Sequence, residues 1–224
     1  MQREGEMRIR LKKPNEDQYF WTLFQYKYIW EGDEPAFIIG KLINIDEQQQ
    51  REHKLIEKAR LDSATGLLKK SELKETLSKM LEKESAGFFL LIDIDDFKNI
   101  NDTMGHAAGD VAIKNLADAL KKEFRKADAI GRFGGDEFMV FAAGMDDREK
   151  MERKFENIFA HLSAGTGEQQ LPITVSAGVA GYPKDGKTYE ELFQNADAAM
   201  YEAKRRGKNQ IVFAGWSDEI QGEE

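Results

Sequence analysis

Apolar and polar positions follow two different periods along this chain, and the changes of period mark its elements. Tyr19–Trp30 is dominated by aromatic and β-branched residues, Glu31–Pro35 has the composition of a turn, and Ala36–Ile45 is again mostly apolar. This pattern predicts a β-hairpin. Because an isolated hairpin is only marginally stable in water, it requires other strands, a neighbouring domain or a partner chain.

The segment that follows is polar and charged. Glu47–Ala59 is rich in helix-forming residues, with Leu55, Ile56 and Ala59 as its apolar stripe, so it predicts a connecting helix. A parallel coiled coil with a second chain stays open here, because the heptad pattern is too short to decide.

From residue 62 onward, predicted helices and strands interleave, which favours helices layered on a sheet. Apolar residues at helical spacing predict four helices, over Leu73–Leu81, Ile113–Phe124, Met151–Leu162 and Leu192–Ala203. Ser71 is the expected N-cap of the first helix, and Gly207 follows the last. The predicted strands are Phe88–Ile94, Ala129–Phe133, Glu137–Phe141, Ile173–Ala180 and, as an edge strand, Ile211–Phe213. Gly134 and Gly135 predict a hairpin turn between the second and third of these strands.

Composition narrows the classes of function. The chain has 224 residues, a formal net charge of −8 and no cysteine. The acidic balance disfavours a protein that binds nucleic-acid backbones, and the lack of cysteine excludes disulfides, thiolate metal sites and cysteine nucleophiles. Apolar runs are far shorter than the roughly 18 residues of a membrane helix. We expect no nucleic-acid partner, no direct membrane contact and a cytoplasmic location, alone or within a longer sensor protein.

Two acidic clusters stand at predicted strand ends. Asp93-Ile94-Asp95-Asp96 directly follows an apolar strand, and Asp136-Glu137 follows the glycine pair. Period two places Asp93 and Asp95 on one face of an extended strand. Either cluster alone is equally well explained as a solvated turn, but together they predict a divalent-metal site of the oxygen-ligand type that suits Mg²⁺.

Other metal and nucleotide motifs are excluded. An EF-hand loop starting at Asp93 would need glycine and glutamate where Lys98 and Met104 stand, and neither a G-x-G-x-x-G nor a P-loop sequence occurs.

Two further polar segments have two interpretations each. Asn101, His106 and Asp110 lie between a strand and a helix, with Asp110 expected in the first helical turn, either as simple capping groups or as partners of a guanine base. The basic run Lys204–Lys208 either complements a helix C-terminus or binds a triphosphate.

Together, these segments resemble the GGDEF family, the diguanylate cyclases. Arg132–Phe138 (RFGGDEF) resembles the family signature, Asp93–Lys98 (DIDDFK) its metal-and-phosphate strand, and Asn101–Asp110 its guanine-binding segment. Three shorter motifs agree in order: Asp62–Leu67 (DSATGL), Thr174–Gly178 (TVSAG) and Ala203–Asn209 (AKRRGKN). Two departures are Ala64, where leucine is usual, and Lys208, where arginine is commoner and would offer a bidentate fork.

The resemblance implies an α+β fold with a central, mostly antiparallel sheet flanked by helices, similar to nucleotidyl cyclases and polymerase palms. It implies that two GTP molecules are condensed into cyclic di-GMP and two pyrophosphates across a homodimer. Two Mg²⁺ or Mn²⁺ ions per GTP would be held by Asp93, the Ile94 carbonyl and Asp136. Asp136 or Glu137 would assist deprotonation of the 3′-hydroxyl, and Lys98 would stabilise phosphate charge. The implied substrate-binding residues are Phe97, Lys98, Asn101, His106, Asp110, Lys204 and Lys208.

A product site is also implied. Arg125 and Asp128 match an R-x-x-D motif through which cyclic di-GMP inhibits the family, although a surface ion pair would leave the same pattern.

The expected organisation has four parts. Residues 1–46 resemble the end of a PAS sensor domain, residues 47–61 form a linker helix, residues 62–215 form the cyclase domain, and residues 216–224 form an acidic tail. Three other functions remain open: a catalytically silent module that binds GTP or cyclic di-GMP, another nucleotidyl cyclase on a related fold, and a dimerisation scaffold.

Overall fold

The computed structural model describes residues 4–13, 17–164 and 171–215, without the side chains at positions 53–55, 57 and 58. The predicted acidic tail and the side chain of Leu55 therefore lie outside the described part. The chain divides into two compact units between Ala59 and Arg60. Among the described helices, none combines the length and apolar character needed to cross a bilayer.

The first unit is a three-stranded antiparallel sheet followed by a helix. Its elements are β1 (Glu4–Lys12), β2 (Tyr19–Glu31), β3 (Glu34–Asn44) and α1 (Asp46–Arg60). The strand order is β1-β2-β3, so the predicted hairpin is confirmed as β2 and β3. Strand β1 was not predicted, because its charged residues alternate with apolar ones and give it the average composition of a polar terminus.

The aromatic composition of β2 has a structural reason. Alternate side chains lie on one face of a strand, and the neighbouring rings of Phe24, Tyr26, Tyr28 and Trp30 contact one another with centroid separations of 5.4, 5.7 and 6.3 Å. These rings cover one another along the strand, which favours the extended conformation.

The second unit is a six-stranded sheet with helices on both faces. Its elements are β4 (Leu68–Lys69), α2 (Lys70–Leu81), β5 (Gly87–Ile94), α3 (Phe97–Met104), α4 (His106–Glu123), β6 (Ala129–Arg132), β7 (Glu137–Ala143), α5 (Arg148–Ser163), β8 (Val175–Tyr182), α6 (Tyr189–Arg205) and β9 (Ile211–Phe213). The strand order is β4-β6-β7-β5-β8-β9. The three central pairings are antiparallel and the two outer ones are parallel. The predicted α+β architecture is thereby confirmed, including β9 at the edge.

Strand β5 is buried along its whole length, which explains its continuous apolar run. Leu90 and Ile92 belong to a core cluster with α4 and α5. Phe89 and Leu91, which point the other way, belong to a second cluster with α2 and α6. Four helices thus cover the two faces of the sheet and fix the end of β5 in the middle of the domain.

Two local predictions were wrong. Helix α2 begins at Lys70 directly after β4, so Lys69 is the N-cap, with no side-chain cap, and Ser71 lies inside the helix. Helix α4 begins at His106 and has no acidic residue in its first turn, so Asp110 lies beyond that turn. Asn101 lies between a strand and a helix as expected, on a separate helix, α3, that was not predicted. By contrast, α6 ends as predicted, with Gly207 at a φ of 112° after the C-cap Arg206.

Candidate active site

The central strand ends in a buried acid. Asp93 is the second-last residue of β5, and its backbone lies between Glu137 on β7 and Ser176 on β8. Its side chain is only 12% exposed, and the Lys204 Nζ lies 2.9 Å from its Oδ1. The strand pairing that builds the core therefore also places this carboxylate beside the signature turn.

The surroundings of Asp93 act against its negative charge. Burial raises the pKa of Asp93, and the negative charges of Asp136 and Glu137 raise it further, whereas Lys204 lowers it. The net effect is a pKa above the ordinary value of 3.8. The Ile94 N–H also donates to the Asp136 carbonyl oxygen at 3.3 Å. The structure thus brings the two predicted acidic clusters into electrostatic contact.

This donor set fits a hard divalent cation. A cation would offset the cost of a buried carboxylate with two acidic neighbours, and carboxylate and carbonyl oxygens are the ligands that Mg²⁺ prefers. Across residues 4–13, 17–164 and 171–215, no three acidic or imidazole side chains gather into a metal-holding group. The candidate set is therefore Asp93 and Asp136 with a main-chain oxygen, which suits an ion that keeps several waters.

The next two acids of the run have different partners. The Asp95 carboxylate accepts hydrogen bonds from Thr174 Oγ1 at 2.8 Å, Ser176 Oγ at 2.6 Å and the Asn209 backbone N–H at 3.0 Å. The Lys208 Nζ lies 2.6 Å from Asp96 Oδ1. These contacts connect the end of β5 to the chain after α6. These contacts could not be predicted from the sequence, because they join positions 79 to 114 residues apart.

Helices α3 and α4 meet closely where the guanine-binding segment was predicted. A Cβ at Gly109 would come 2.1 Å from Asn101 Oδ1 and 3.2 Å from Phe97 Cζ, so any side chain at position 109 would displace the Asn101 amide. Asp110 follows Gly109 directly and is exposed. Asn101 and Asp110 are thereby brought to one helix junction, with Phe97 packed beneath it.

The other predicted residues lie at the surface. Lys98 on α3 and His106 at the start of α4 are exposed, and Arg125 is exposed before β6. The Asp128 carboxylate accepts from the Arg125 N–H at 2.8 Å and from the Ala143 N–H at 3.2 Å, which closes a turn. This turn lies at the opposite end of β6 from the Gly134-Gly135 turn, so the structure separates the predicted product site from the acids.

The signature turn is held by Arg132, which sequence analysis did not single out. Its guanidinium donates to the carbonyl oxygens of Gly134 at 3.1 Å and Gly135 at 2.6 and 3.1 Å. It also lies 3.4 Å from both Asp62 carboxylate oxygens. Arg132 therefore connects the opening motif to the signature turn. The only sign of this contact in the sequence is that Asp62 and Arg132 each belong to a family motif.

The contacts of Asp62 lead to a pH-dependent prediction. Its Oδ1 accepts from the Thr65 N–H at 2.9 Å and Thr65 Oγ1 at 2.8 Å. Burial acts to raise the pKa of Asp62, but these hydrogen bonds and the Arg132 charge outweigh it, so the pKa lies below 3.8. Asp62→Asn should lower the free energy of unfolding by about 1 kcal/mol at pH 7. This contribution is present above the unfolded-state pKa and is lost as pH falls through the folded-state pKa.

Urea unfolding of both proteins between pH 7 and pH 3 measures this difference. Asp118→Asn is the control, because Asp118 forms an exposed ion pair with Lys121 and its loss should have little effect. A difference between Asp62→Asn and the parent protein that does not shrink toward pH 3 would contradict the assignment.

Comparison with known proteins agrees with this geometry. The sequence profile of the family described as "Diguanylate cyclase, GGDEF domain" matches residues 59–210. Diguanylate cyclase A of Treponema denticola is 35% identical over 145 residues, which are 62% of this chain and 38% of that protein. Diguanylate cyclase DgcP of Pseudomonas aeruginosa is 39% identical over 165 residues, which are 70% of this chain and 24% of that protein. The chain thus matches between a quarter and two fifths of the length of these relatives.

Solved structures support the same fold. The GGDEF domain of YfiN, or TpbB, from Pseudomonas aeruginosa matches with a TM-score of 0.63 and 33% identity, covering 68% of this chain and 99% of that domain. The coiled coil and GGDEF domain of DgcB from Caulobacter crescentus, solved with c-di-GMP, matches with a TM-score of 0.68 and 25% identity, covering 76% of this chain and 93% of that one.

Proposed function

Since the chain belongs to the GGDEF family of diguanylate cyclase domains, we propose that it condenses two GTP molecules into cyclic di-GMP and two pyrophosphates. The observation that carries the proposal is the buried Asp93, with Asp136 and Glu137 close enough to raise its pKa and Lys204 on its carboxylate. Carboxylates for cations and lysines for phosphates are the two kinds of group that phosphoryl transfer to an alcohol requires.

Asp93 and Asp136, with the Ile94 carbonyl, would hold two Mg²⁺ or Mn²⁺ ions. When bound, such ions lower the pKa of the attacking hydroxyl and neutralise charge on the phosphates. Glu137 or Asp136 would accept the proton from the 3′-hydroxyl of GTP. Lys98 would stabilise charge on the transferred phosphate, and Lys204 and Lys208 would bind the terminal phosphates that leave as pyrophosphate.

The junction of α3 and α4 would select guanine. A carboxylate at Asp110 accepts hydrogen bonds from the N1–H and N2 amine of guanine, and Asn101 supplies an amide for the remaining edge. Adenine would leave the Asp110 carboxylate unpaired, which gives strong discrimination against ATP. Phe97 would pack beneath the nucleotide site and His106 would lie near the sugar or base.

The reaction would need two chains. Each chain would bind one GTP, and two successive attacks across a homodimer would close the ring. Because positioning of the two nucleotides dominates the barrier, the geometry of the pair would set the rate. Arg125 and Asp128 would bind cyclic di-GMP and inhibit synthesis. We further propose that residues 1–46 are a PAS-like segment and that residues 47–61 are a linker helix. The proposed location is cytoplasmic.

Incubation with GTP and Mg²⁺, followed by chromatography, tests this function. Cyclic di-GMP should form, and the rate should rise with roughly the square of protein concentration while dimers are scarce. ATP in place of GTP should give no product. Binding of GTP without product at any protein concentration would instead support the silent binding module, and turnover of ATP alone would support another nucleotidyl cyclase.

A further inference from the structure

The turn that follows α6 has an unusual backbone. Gly207, Lys208 and Asn209 have φ values of 112°, 64° and 46°. Side-chain-bearing residues rarely adopt this left-handed region, so two of them in succession need support from other groups. The same turn contains Lys208 and directly follows the helix end that carries Lys204, the two lysines proposed for the terminal phosphates.

The support comes from the acidic run at the end of β5. The Asn209 N–H donates to Asp95 Oδ2 at 3.0 Å, and the Lys208 Nζ pairs with Asp96 Oδ1 at 2.6 Å. The Lys208 N–H also donates to the Ala203 carbonyl at 3.1 Å. Of the two acids, only Asp95 holds the backbone of the turn, while Asp96 binds a flexible side chain.

Asp95 differs from Asp93 in how its charge is satisfied. It is 5% exposed, and both of its oxygens accept from neutral donors: Oδ1 from Ser176, and Oδ2 from Thr174 and Asn209. A buried carboxylate with this many fixed donors holds those donors in place. Three protein donors already occupy this carboxylate, which leaves Asp93 as the acid of β5 available to a cation.

We propose that Asp95 is a positioning residue, whose carboxylate fixes the Gly207–Asn209 turn and thereby directs Lys204 and Lys208 toward the terminal phosphates of GTP. The inference rests on the proposed function, because it concerns the same nucleotide site. It predicts that losing the Asp95 charge harms the recognition of terminal phosphates, although Asp95 does not touch them.

The sign of the effect separates positioning from simple electrostatics. Removing a negative charge that holds no cation should by itself strengthen the binding of a nearby triphosphate, because repulsion falls. Asp96→Asn removes such a charge and also frees Lys208, so it should tighten or preserve triphosphate binding. Asp95→Asn removes the same charge from the neighbouring residue but weakens the support of the turn, so it should weaken triphosphate binding.

The test measures binding of 3′-deoxy-GTP and 3′-deoxy-GMP in Mg²⁺, since neither can react without a 3′-hydroxyl. For Asp95→Asn, the affinity for the triphosphate should fall about tenfold, as expected for one weakened charge-assisted hydrogen bond, and the affinity for the monophosphate should change less than about twofold. Asp96→Asn should show no loss for either ligand.

Three results would overturn the inference or its premise. Unchanged or tighter triphosphate binding by Asp95→Asn, or equal loss of both ligands, overturns the positioning role. Should Asp95→Asn not fold, Ser176→Ala removes one donor to the same carboxylate, and normal triphosphate binding by that variant overturns the role too. Failure of the unsubstituted chain to bind 3′-deoxy-GTP would instead contradict the proposed function itself.

Discussion

Asp93→Asn should reduce cyclic di-GMP synthesis by about a thousandfold or more while the domain stays folded. An asparagine amide matches aspartate in shape, so the packing between β7 and β8 is preserved. It lacks the charge that cations require, and it turns the 2.9 Å ion pair with Lys204 into a hydrogen bond to a neutral amide oxygen. The loss should appear mainly in kcat, because guanine recognition lies elsewhere, at the junction of α3 and α4.

The same substitution should raise stability in the absence of divalent cations. Burial raises the pKa of Asp93 above 3.8, so the charged carboxylate costs the folded state free energy. This cost is present above the folded-state pKa and vanishes as pH falls below the unfolded-state value. Asp93→Asn should therefore increase the free energy of unfolding by about 1 kcal/mol at pH 7, with no gain at pH 3.

Thermal unfolding with and without Mg²⁺ completes this test. Mg²⁺ should raise the melting temperature of the unsubstituted chain and leave that of Asp93→Asn unchanged, because a ligand stabilises only the state that binds it. Asp118→Asn serves as the exposed control with unchanged activity. More than a tenth of the original activity in Asp93→Asn would contradict the assignment of this acid.

Gly178→Ala should destabilise the second unit by about 3 kcal/mol or more, beyond the usual cost of one added methyl group. A Cβ at Gly178 would come 1.9 Å from the Ala196 carbonyl oxygen and 2.3 Å from the Met200 backbone nitrogen. Both atoms belong to the backbone of α6, so no side-chain rotation relieves the overlap. Helix α6 would have to move away from β8.

Gly181→Ala is the matched control on the same strand. A Cβ there meets the Asp185 side chain at 3.2 Å and Phe88 ring atoms at 3.7 and 4.0 Å, so small adjustments suffice. Urea unfolding should show a loss below about 1 kcal/mol for this variant. Similar losses for the two variants would mean that α6 is not held against β8 as closely as described.

The elements that could be predicted from the sequence are those with a strong local pattern. The apolar run Phe88–Ile94 is recognisable because β5 is buried on both faces, and the Gly134-Gly135 pair marks the turn between β6 and β7. Strand β4 has only two residues, and its conformation depends on pairing with β6, so no local pattern reveals it. Helix α3 carries Phe97, Ile100 and Met104 at helical spacing, but it has only eight residues and none of them is fully buried, so its pattern is too short to be recognised.

In the candidate site, too, the features with a local pattern could be predicted and the long-range contacts could not. The acidic clusters were recognisable because acids at the end of an apolar strand are unusual in composition, and antiparallel pairing then places Asp93 opposite Glu137. The pairings of Asp62 with Arg132 and of Asp95 with Asn209 span 70 and 114 residues. Such contacts follow from the order of strands in the sheet, which spacing along the chain does not contain.

The position of β5 has a consequence for how the site opens. Its backbone is bonded to β7 on one side and β8 on the other, so its amide protons should exchange with solvent only when the domain unfolds globally. Helix α3, whose Phe97 and Ile100 are only partly buried, should exchange through local fraying at far lower cost. Hydrogen exchange should then be slow in the part of the site near Asp93 and fast in the part near Asn101. A nucleotide that binds would need to order only the part near Asn101.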